Sequence, residues 1–77
     1  MKGKVFVEVD FSCDNDGNVI PLRIHWNDGR VWNIERVVHA CESCINEYDG
    51  IRYTVLLSGA CRYLYRSGKR WYVEQAL

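Results

Sequence analysis

Apolar side chains recur at every second position over short stretches of this chain, and a period of two is that of a β-strand with one buried face. Turn-forming pairs that contain glycine separate these stretches at intervals of about ten residues. No stretch carries the 3.6-residue period of an amphipathic helix. The pattern predicts an all-β fold, a small antiparallel meander of about six strands that curls into an SH3-like or partly open barrel.

Length and charge narrow the class of protein further. The 77 residues leave room for one core, so we expect residues 1–77 to form a single domain. Ten basic and ten acidic side chains cancel, which excludes overall basicity as an argument for nucleic-acid binding. No apolar run is long enough to cross a bilayer, and the N-terminus lacks the apolar stretch of a signal peptide. We therefore expect a cytoplasmic protein that does not contact membranes and keeps its cysteines reduced.

The turn at residues 27–29 determines the register of the second hairpin. A three-residue loop with Gly29 in the left-handed position pairs Ile24 with Trp32, whereas a two-residue loop would turn Trp32 outward. We expect all three tryptophans to be substantially buried.

In the strand before this turn, alternation places Ile20 and Leu22 inward. Pro21 cannot donate to a ladder, so that strand lies at an edge or contains a bulge.

Two further irregularities affect the second half of the chain. The alternation breaks after Ile34, which predicts a bulge in one long strand over residues 30–41. The last two turns lie at residues 58–60 and 67–69, and we predict that both are three-residue loops. Two-residue loops would mix Arg62 and Arg66 into the buried face, whereas the longer loops place these five residues on it: Cys61, Tyr63, Tyr65, Trp71 and Val73.

The neutral total conceals a charge asymmetry that suggests a contact surface. Residues 1–50 hold five basic and nine acidic side chains, a net charge of −4, whereas residues 51–77 hold five and one, a net charge of +4. In the predicted register seven residues share the outer face of the last strands: Arg52, Leu56, Arg62, Leu64, Arg66, Arg70 and Tyr72. This face predicts an interaction module that binds an unknown protein partner. The alternative partner is a single-stranded nucleic acid. The simplest interpretation is a solvated surface without a partner.

Other motifs point less clearly to a function. Cys41 and Cys44, with His39 nearby, form the outline of half a zinc site, but no second cysteine pair completes four ligands. Residues 14–17 resemble the start of a calcium loop without its closing glutamate. No catalytic motif is present, so we expect a non-enzymatic protein without a cofactor, either a monomer or a weak homodimer.

Three segments resemble a family of short bacterial proteins of uncharacterised function. They are residues 21–37 (PLRIHWNDGRVWNIERV), residues 50–55 (GIRYTV) and residues 70–74 (RWYVE). The likeness covers most of the chain and implies a shared fold, without implying an activity. The family pattern has no cysteine pair after the long strand, so the resemblance assigns no role to residues 39–44.

Overall fold

Seven antiparallel strands form one curled sheet in the computed structural model, which describes the backbone of residues 2–42 and 50–76 and the side chains of residues 3–42 and 50–74. Along the sheet their order is β3-β2-β1-β7-β6-β5-β4, so the first and last strands pair with each other. This architecture confirms the predicted all-β, partly open barrel. The strands are β1 (Lys2–Cys13), β2 (Val19–His25), β3 (Val31–Asn33), β4 (Arg36–Glu42), β5 (Ile51–Leu57), β6 (Ala60–Ser67) and β7 (Arg70–Ala76).

The chain itself joins the two ends of the sheet. β3 and β4 follow one another in sequence, yet they lie at opposite ends of the strand order. Between them, the Ile34 N–H donates to the Leu22 carbonyl at 2.9 Å and the Glu35 N–H donates to the Leu56 carbonyl at 2.8 Å. The predicted single strand over residues 30–41 is therefore two strands, which raises the count from six to seven. The predicted bulge is present, at Val38 in the β4–β5 ladder.

A second bulge corrects the predicted inner face of β2. Asp10 pairs with Arg23 and Phe11 pairs with Pro21, so Leu22 is the extra residue in the ladder. The bulge reverses the alternation before it: Ile20 and Leu22 are exposed, and Pro21 is fully buried. Of the two predicted alternatives for the proline, an edge strand or a bulge, the structure shows the bulge, and the resulting change of face was not predicted.

The turn at residues 27–29 has the predicted form. Ile24 lies opposite Trp32, the Trp26 N–H donates to the Arg30 carbonyl at 2.9 Å, and Gly29 has a φ of 91°. A positive φ at the third loop position is the conformation that such a loop needs, and glycine adopts it without strain. Trp71 is buried, whereas Trp26 and Trp32 are only half-buried.

The last two turns differ from the prediction because each contains two residues. Leu57 pairs with Ala60, and Ser67 pairs with Arg70. Ser58 and Gly59 both have positive φ, as in a type I′ turn, and Gly68 has positive φ at the first central position, as in type II′. These two turn types match the twist of paired strands, so they are favoured over longer loops in hairpins. The first short turn reverses the faces of β6, and the second restores the predicted faces of β7.

We call the concave side of the sheet the inner face and the convex side the outer face. The inner face holds the main core: Val7, Ile24, Tyr53, Val55, Leu57, Leu64, Trp71 and Val73. Leu64 lies directly opposite Tyr53 across the β5–β6 ladder. Of the five β6 and β7 residues predicted to be inward, Trp71 and Val73 are, whereas Tyr63 and Tyr65 point to the outer face with Cys61 opposite Leu56.

The first hairpin turn is held by one carboxylate. The Asp14 side chain accepts hydrogen bonds from the backbone N–H of Asp16 at 2.9 Å, from that of Asn18 at 2.9 Å and from the Asn18 amide at 3.0 Å. These bonds, above all those from Asn18, hold the pKa of Asp14 below its ordinary value of 3.8. The calcium-like segment is therefore an Asx-type hairpin turn.

The lowered pKa of Asp14 predicts a specific response to acid. A carboxylate with a lowered folded-state pKa stabilises the fold above its unfolded-state pKa, and this contribution is lost as the pH falls through the folded-state value. We expect the melting temperature of Asp14→Asn to fall less than that of the wild type between about pH 6 and pH 3. Circular dichroism melts measure this. Asp16→Asn in the same turn is the control, and an equally shallow response there would contradict the role of Asp14.

Candidate binding surfaces

The structure divides the seven predicted contact residues between the two faces of the sheet. Arg52 pairs with Tyr65, whereas Arg62 pairs with Val55, so the two arginines point to opposite sides. The four-arginine face was therefore wrong in its geometry, because the two-residue turn at residues 58–59 reverses the faces of β6, which carries Arg62 and Arg66. Arg52, Leu56, Arg70 and Tyr72 belong to the outer face. Arg62, Leu64 and Arg66 belong to the inner face.

Several of these residues are buried or contact the core, so their side chains are not available to a partner. Leu64 is 0% exposed and Tyr72 is 1% exposed, so neither side chain can contact a partner directly. Arg66 donates from Nε to the Tyr53 hydroxyl at 3.3 Å, and its Cζ lies 5.9 Å from the Trp71 ring centroid. This arginine closes one edge of the core. Of the predicted set, the outer-face arginines Arg52 and Arg70 keep the geometry of a contact surface.

A row of four aromatic rings crosses the outer face, and the sequence prediction did not assemble it. Tyr65 and Tyr72 stack in parallel, with centroids 4.9 Å apart and an interplanar angle of 4°. Phe6 packs edge-on against Tyr72 at 5.8 Å, and Tyr63 packs edge-on against Tyr65 at 6.5 Å. The central pair is buried, but Phe6 is 40% exposed and Tyr63 is 51% exposed. We call these four residues the outer aromatic row.

Three cations lie over this row. The Arg70 guanidinium carbon is 3.7 Å from the Phe6 ring centroid, and that of Arg52 is 4.5 Å from the Tyr63 centroid. Lys4 Nζ is 4.9 Å from the Tyr72 centroid. These distances are within the range of cation–π attraction. The exposed rings at both ends of the row therefore each carry a guanidinium whose position the ring defines.

The Tyr65 hydroxyl links the row to charged neighbours. It donates a hydrogen bond to the Glu74 carboxylate and accepts one from Arg52. Burial, reinforced by the Glu74 carboxylate, raises the pKa of Tyr65 far above its ordinary value. The hydroxyl consequently stays protonated and helps to orient Arg52. A tyrosine between a carboxylate and a guanidinium is not itself a sign of catalysis, and the high pKa of Tyr65 suits a structural role.

A cleft opens where β6 and β7 separate. The two strands pair from Tyr65 and Tyr72 to the hairpin turn, and this pairing does not extend to Leu64 and Val73. The cleft has a volume of about 340 Å³ and reaches from the gap into the inner face. We call it the tryptophan cleft. Its lining comprises Ile24, Trp26, Trp32, Leu57, Cys61, Arg62, Tyr63, Tyr65, Val73 and Glu74.

Sequence reasoning missed the tryptophan cleft, although one signal for it was present. The register of the turn at residues 27–29 places Trp26 and Trp32 side by side at the end of a hairpin. In the structure their centroids are 4.7 Å apart at 62°. The sequence pattern does not show that β6 and β7 separate, since the separation depends on the curvature of the whole sheet.

Two of the three candidate zinc ligands lie in the part of the chain that the structure describes. His39 and Cys41 are in β4, and Cys41 Sγ donates to the Glu42 carbonyl at 3.1 Å. Cys44, the third candidate, falls outside the described residues. Within residues 2–42 and 50–76, no three His, Cys, Asp or Glu side chains cluster as metal ligands would.

Comparison of the chain with protein-family models, with curated proteins and with solved structures finds no significant match. The resemblance to short bacterial proteins stays a prediction. In the part of the chain that the structure describes, no helix is long and apolar enough to cross a membrane.

Proposed function

We propose that this domain is a small non-enzymatic module that binds an acidic surface of a protein partner through its outer face. The observation that carries the proposal is the pair of arginines, Arg52 and Arg70, held over the exposed rings of Tyr63 and Phe6. Arginine and aromatic side chains are enriched at protein interfaces, where a ring-supported guanidinium loses less side-chain entropy on binding. The positive charge of residues 51–77 favours an acidic partner.

The same geometry favours a protein over a single-stranded nucleic acid. Nucleobases bind sheets by stacking on open aromatic faces. Here the central rings of Tyr65 and Tyr72 are buried against each other, and guanidinium groups cover the end rings. A base would have to displace these cations before it could stack. Nucleic-acid binding through this face therefore remains the second candidate.

We also propose that the module acts in the bacterial cytoplasm. The sequence resemblance supports a bacterial source. Cys13 and Cys61 are exposed free thiols. Free thiols on a surface suit a reducing compartment better than an oxidising one.

A matched pair of charge reversals tests the proposed face. Arg70→Glu places a negative charge on the outer face, and Arg62→Glu makes the same change on the neighbouring strand but on the inner face. Both arginines are exposed, so we expect the free energy of unfolding of each variant to lie within about 0.5 kcal/mol of the wild-type value. Partner capture from lysate should fall at least about tenfold for Arg70→Glu and stay near the wild-type level for Arg62→Glu.

Nuclease and salt separate the two candidate functions. A protein complex should survive nuclease and lose affinity only gradually as salt rises. Loss of capture on nuclease treatment would assign the face to nucleic acid. So would an affinity that falls about tenfold for each tenfold rise in salt concentration, multiplied over the number of phosphate contacts. Equal capture by both variants would contradict the proposed face altogether.

A further inference from the structure

The tryptophan cleft passes between β6 and β7, and two rings of the outer aromatic row, Tyr63 and Tyr65, belong to its lining. It is bounded on one side by β6 and on the other by β7, and its floor is formed by inner-face residues such as Leu57 and Val73. A volume of about 340 Å³ is at the lower end of the range for small-molecule sites. The volume of the cleft therefore suits a ligand with a single ring or with two fused rings.

Aromatic side chains form the walls of this cleft. Trp26 and Trp32 meet edge to face at 4.7 Å, and the half-exposed Tyr63 ring stands on the β6 side. Aromatic rings attract flat apolar molecules through dispersion and through offset or edge contacts. A planar ligand is thus favoured over a bulky aliphatic one.

The charges at the cleft decide the polar part of the ligand. Two charged side chains line it, Arg62 and Glu74. The Glu74 carboxylate already accepts a hydrogen bond from the Tyr65 hydroxyl. Arg62 is exposed and donates from Nη1 to the carbonyl of its neighbour Cys61 at 3.3 Å, which leaves other guanidinium donors for a ligand. Arg62 therefore supplies the cleft with donors for an anionic group.

We propose that the tryptophan cleft binds a small planar aromatic carboxylate, with its rings against Trp26 and Trp32 and its carboxylate on Arg62. The carboxylate matches the fork of the guanidinium, whose paired N–H groups bind two oxygens at once. This site would make the domain a binder of a small acid as well as a protein-binding module. Phe6 and Arg70 are outside the lining of the cleft, so substitutions of Arg62 and Arg70 test the two sites separately.

The probe is 2-naphthoate, titrated into isotope-labelled protein, with 2-naphthamide as its neutral counterpart. We expect saturable shifts of the indole N–H signals of Trp26 and Trp32, with little change at Trp71, whose ring belongs to the core. The amide should bind at least about tenfold more weakly, since it lacks the charge-assisted hydrogen bonds. Arg62→Gln should weaken binding of the carboxylate by a similar factor.

Controls make each outcome decisive. Arg70→Gln removes an equal charge from the outer face and should leave binding of 2-naphthoate unchanged. The dispersion of the amide spectrum confirms that both variants are folded. The proposal is overturned if 2-naphthoate causes no shifts at millimolar concentration, if Arg62→Gln binds it as the wild type does, or if tetramethylammonium is bound in its place, since that would indicate an aromatic cage for cations.

Discussion

Leu64→Ala is expected to destabilise the domain by about 3 kcal/mol, a large part of the stability of a domain of this size. The side chain is 0% exposed and packs opposite Tyr53 in the core. Truncation removes its transfer free energy and leaves a cavity that the paired strand β5 cannot close. Urea denaturation followed by tryptophan fluorescence measures the loss as a lower midpoint at constant slope.

Leu56→Ala is the matched control for this substitution. Leu56 was expected on the same surface as Leu64, and in the structure it lies on the outer face opposite Cys61, half-buried. Its truncation should cost about 1 kcal/mol, because less apolar area returns to water. Equal losses for the two variants would contradict the assignment of Leu64 to the inner face and, with it, the two-residue turn at residues 58–59.

Gly50→Ala should produce the second large effect. Gly50 has a φ of +78°, and a β-carbon at this position would stand 2.0 Å from the carbonyl oxygen of Arg66. That oxygen is backbone in β6, so the clash cannot be relieved by a side-chain rotation. The variant must shift one strand against another in addition to adopting a strained backbone, and we expect a loss of roughly 3 kcal/mol or more.

Gly17→Ala separates backbone strain from this steric clash. Gly17 has a similar φ of +82°, but nothing lies within 4 Å of the position that its β-carbon would take. Only the cost of a left-handed alanine applies there, about 1 kcal/mol. Thermal melts of the two variants give the difference. If Gly50→Ala were no worse than Gly17→Ala, the close approach of the chain at Gly50 to β6 would be wrong.

Local chemistry was sufficient to predict the fold class and the first two turns. At residues 27–29 the glycine stands at the third loop position, and only one register places Ile24 opposite Trp32 with both on the apolar side. At residues 14–17 an aspartate with a short side chain and a following glycine favour a tight turn. In both places the deciding interactions are within a few residues of sequence, so the sequence contains the information.

The faces of β6 could not be predicted in the same way, whereas Trp71 and Val73 of β7 are inward as predicted. Both strands carry large apolar side chains on both sides: Tyr65 alternates with Leu64, and Tyr72 alternates with Trp71. A pattern of alternation identifies the core only where the other face is polar. On the outer side the stacked rings of Tyr65 and Tyr72 are nearly as thoroughly buried as Leu64 is on the inner side.

By itself, the sequence determined that the chain forms paired strands, where most of them turn, and that positive charge collects in the second half. The tertiary structure decided which arginines share a face, where the wall of the barrel opens, and which rings a guanidinium can reach. The physical reason is that strand formation and turns depend on neighbours in sequence, whereas the side of a sheet that becomes interior depends on its curvature. Two bulges and two short turns set that curvature through the pairing of distant strands.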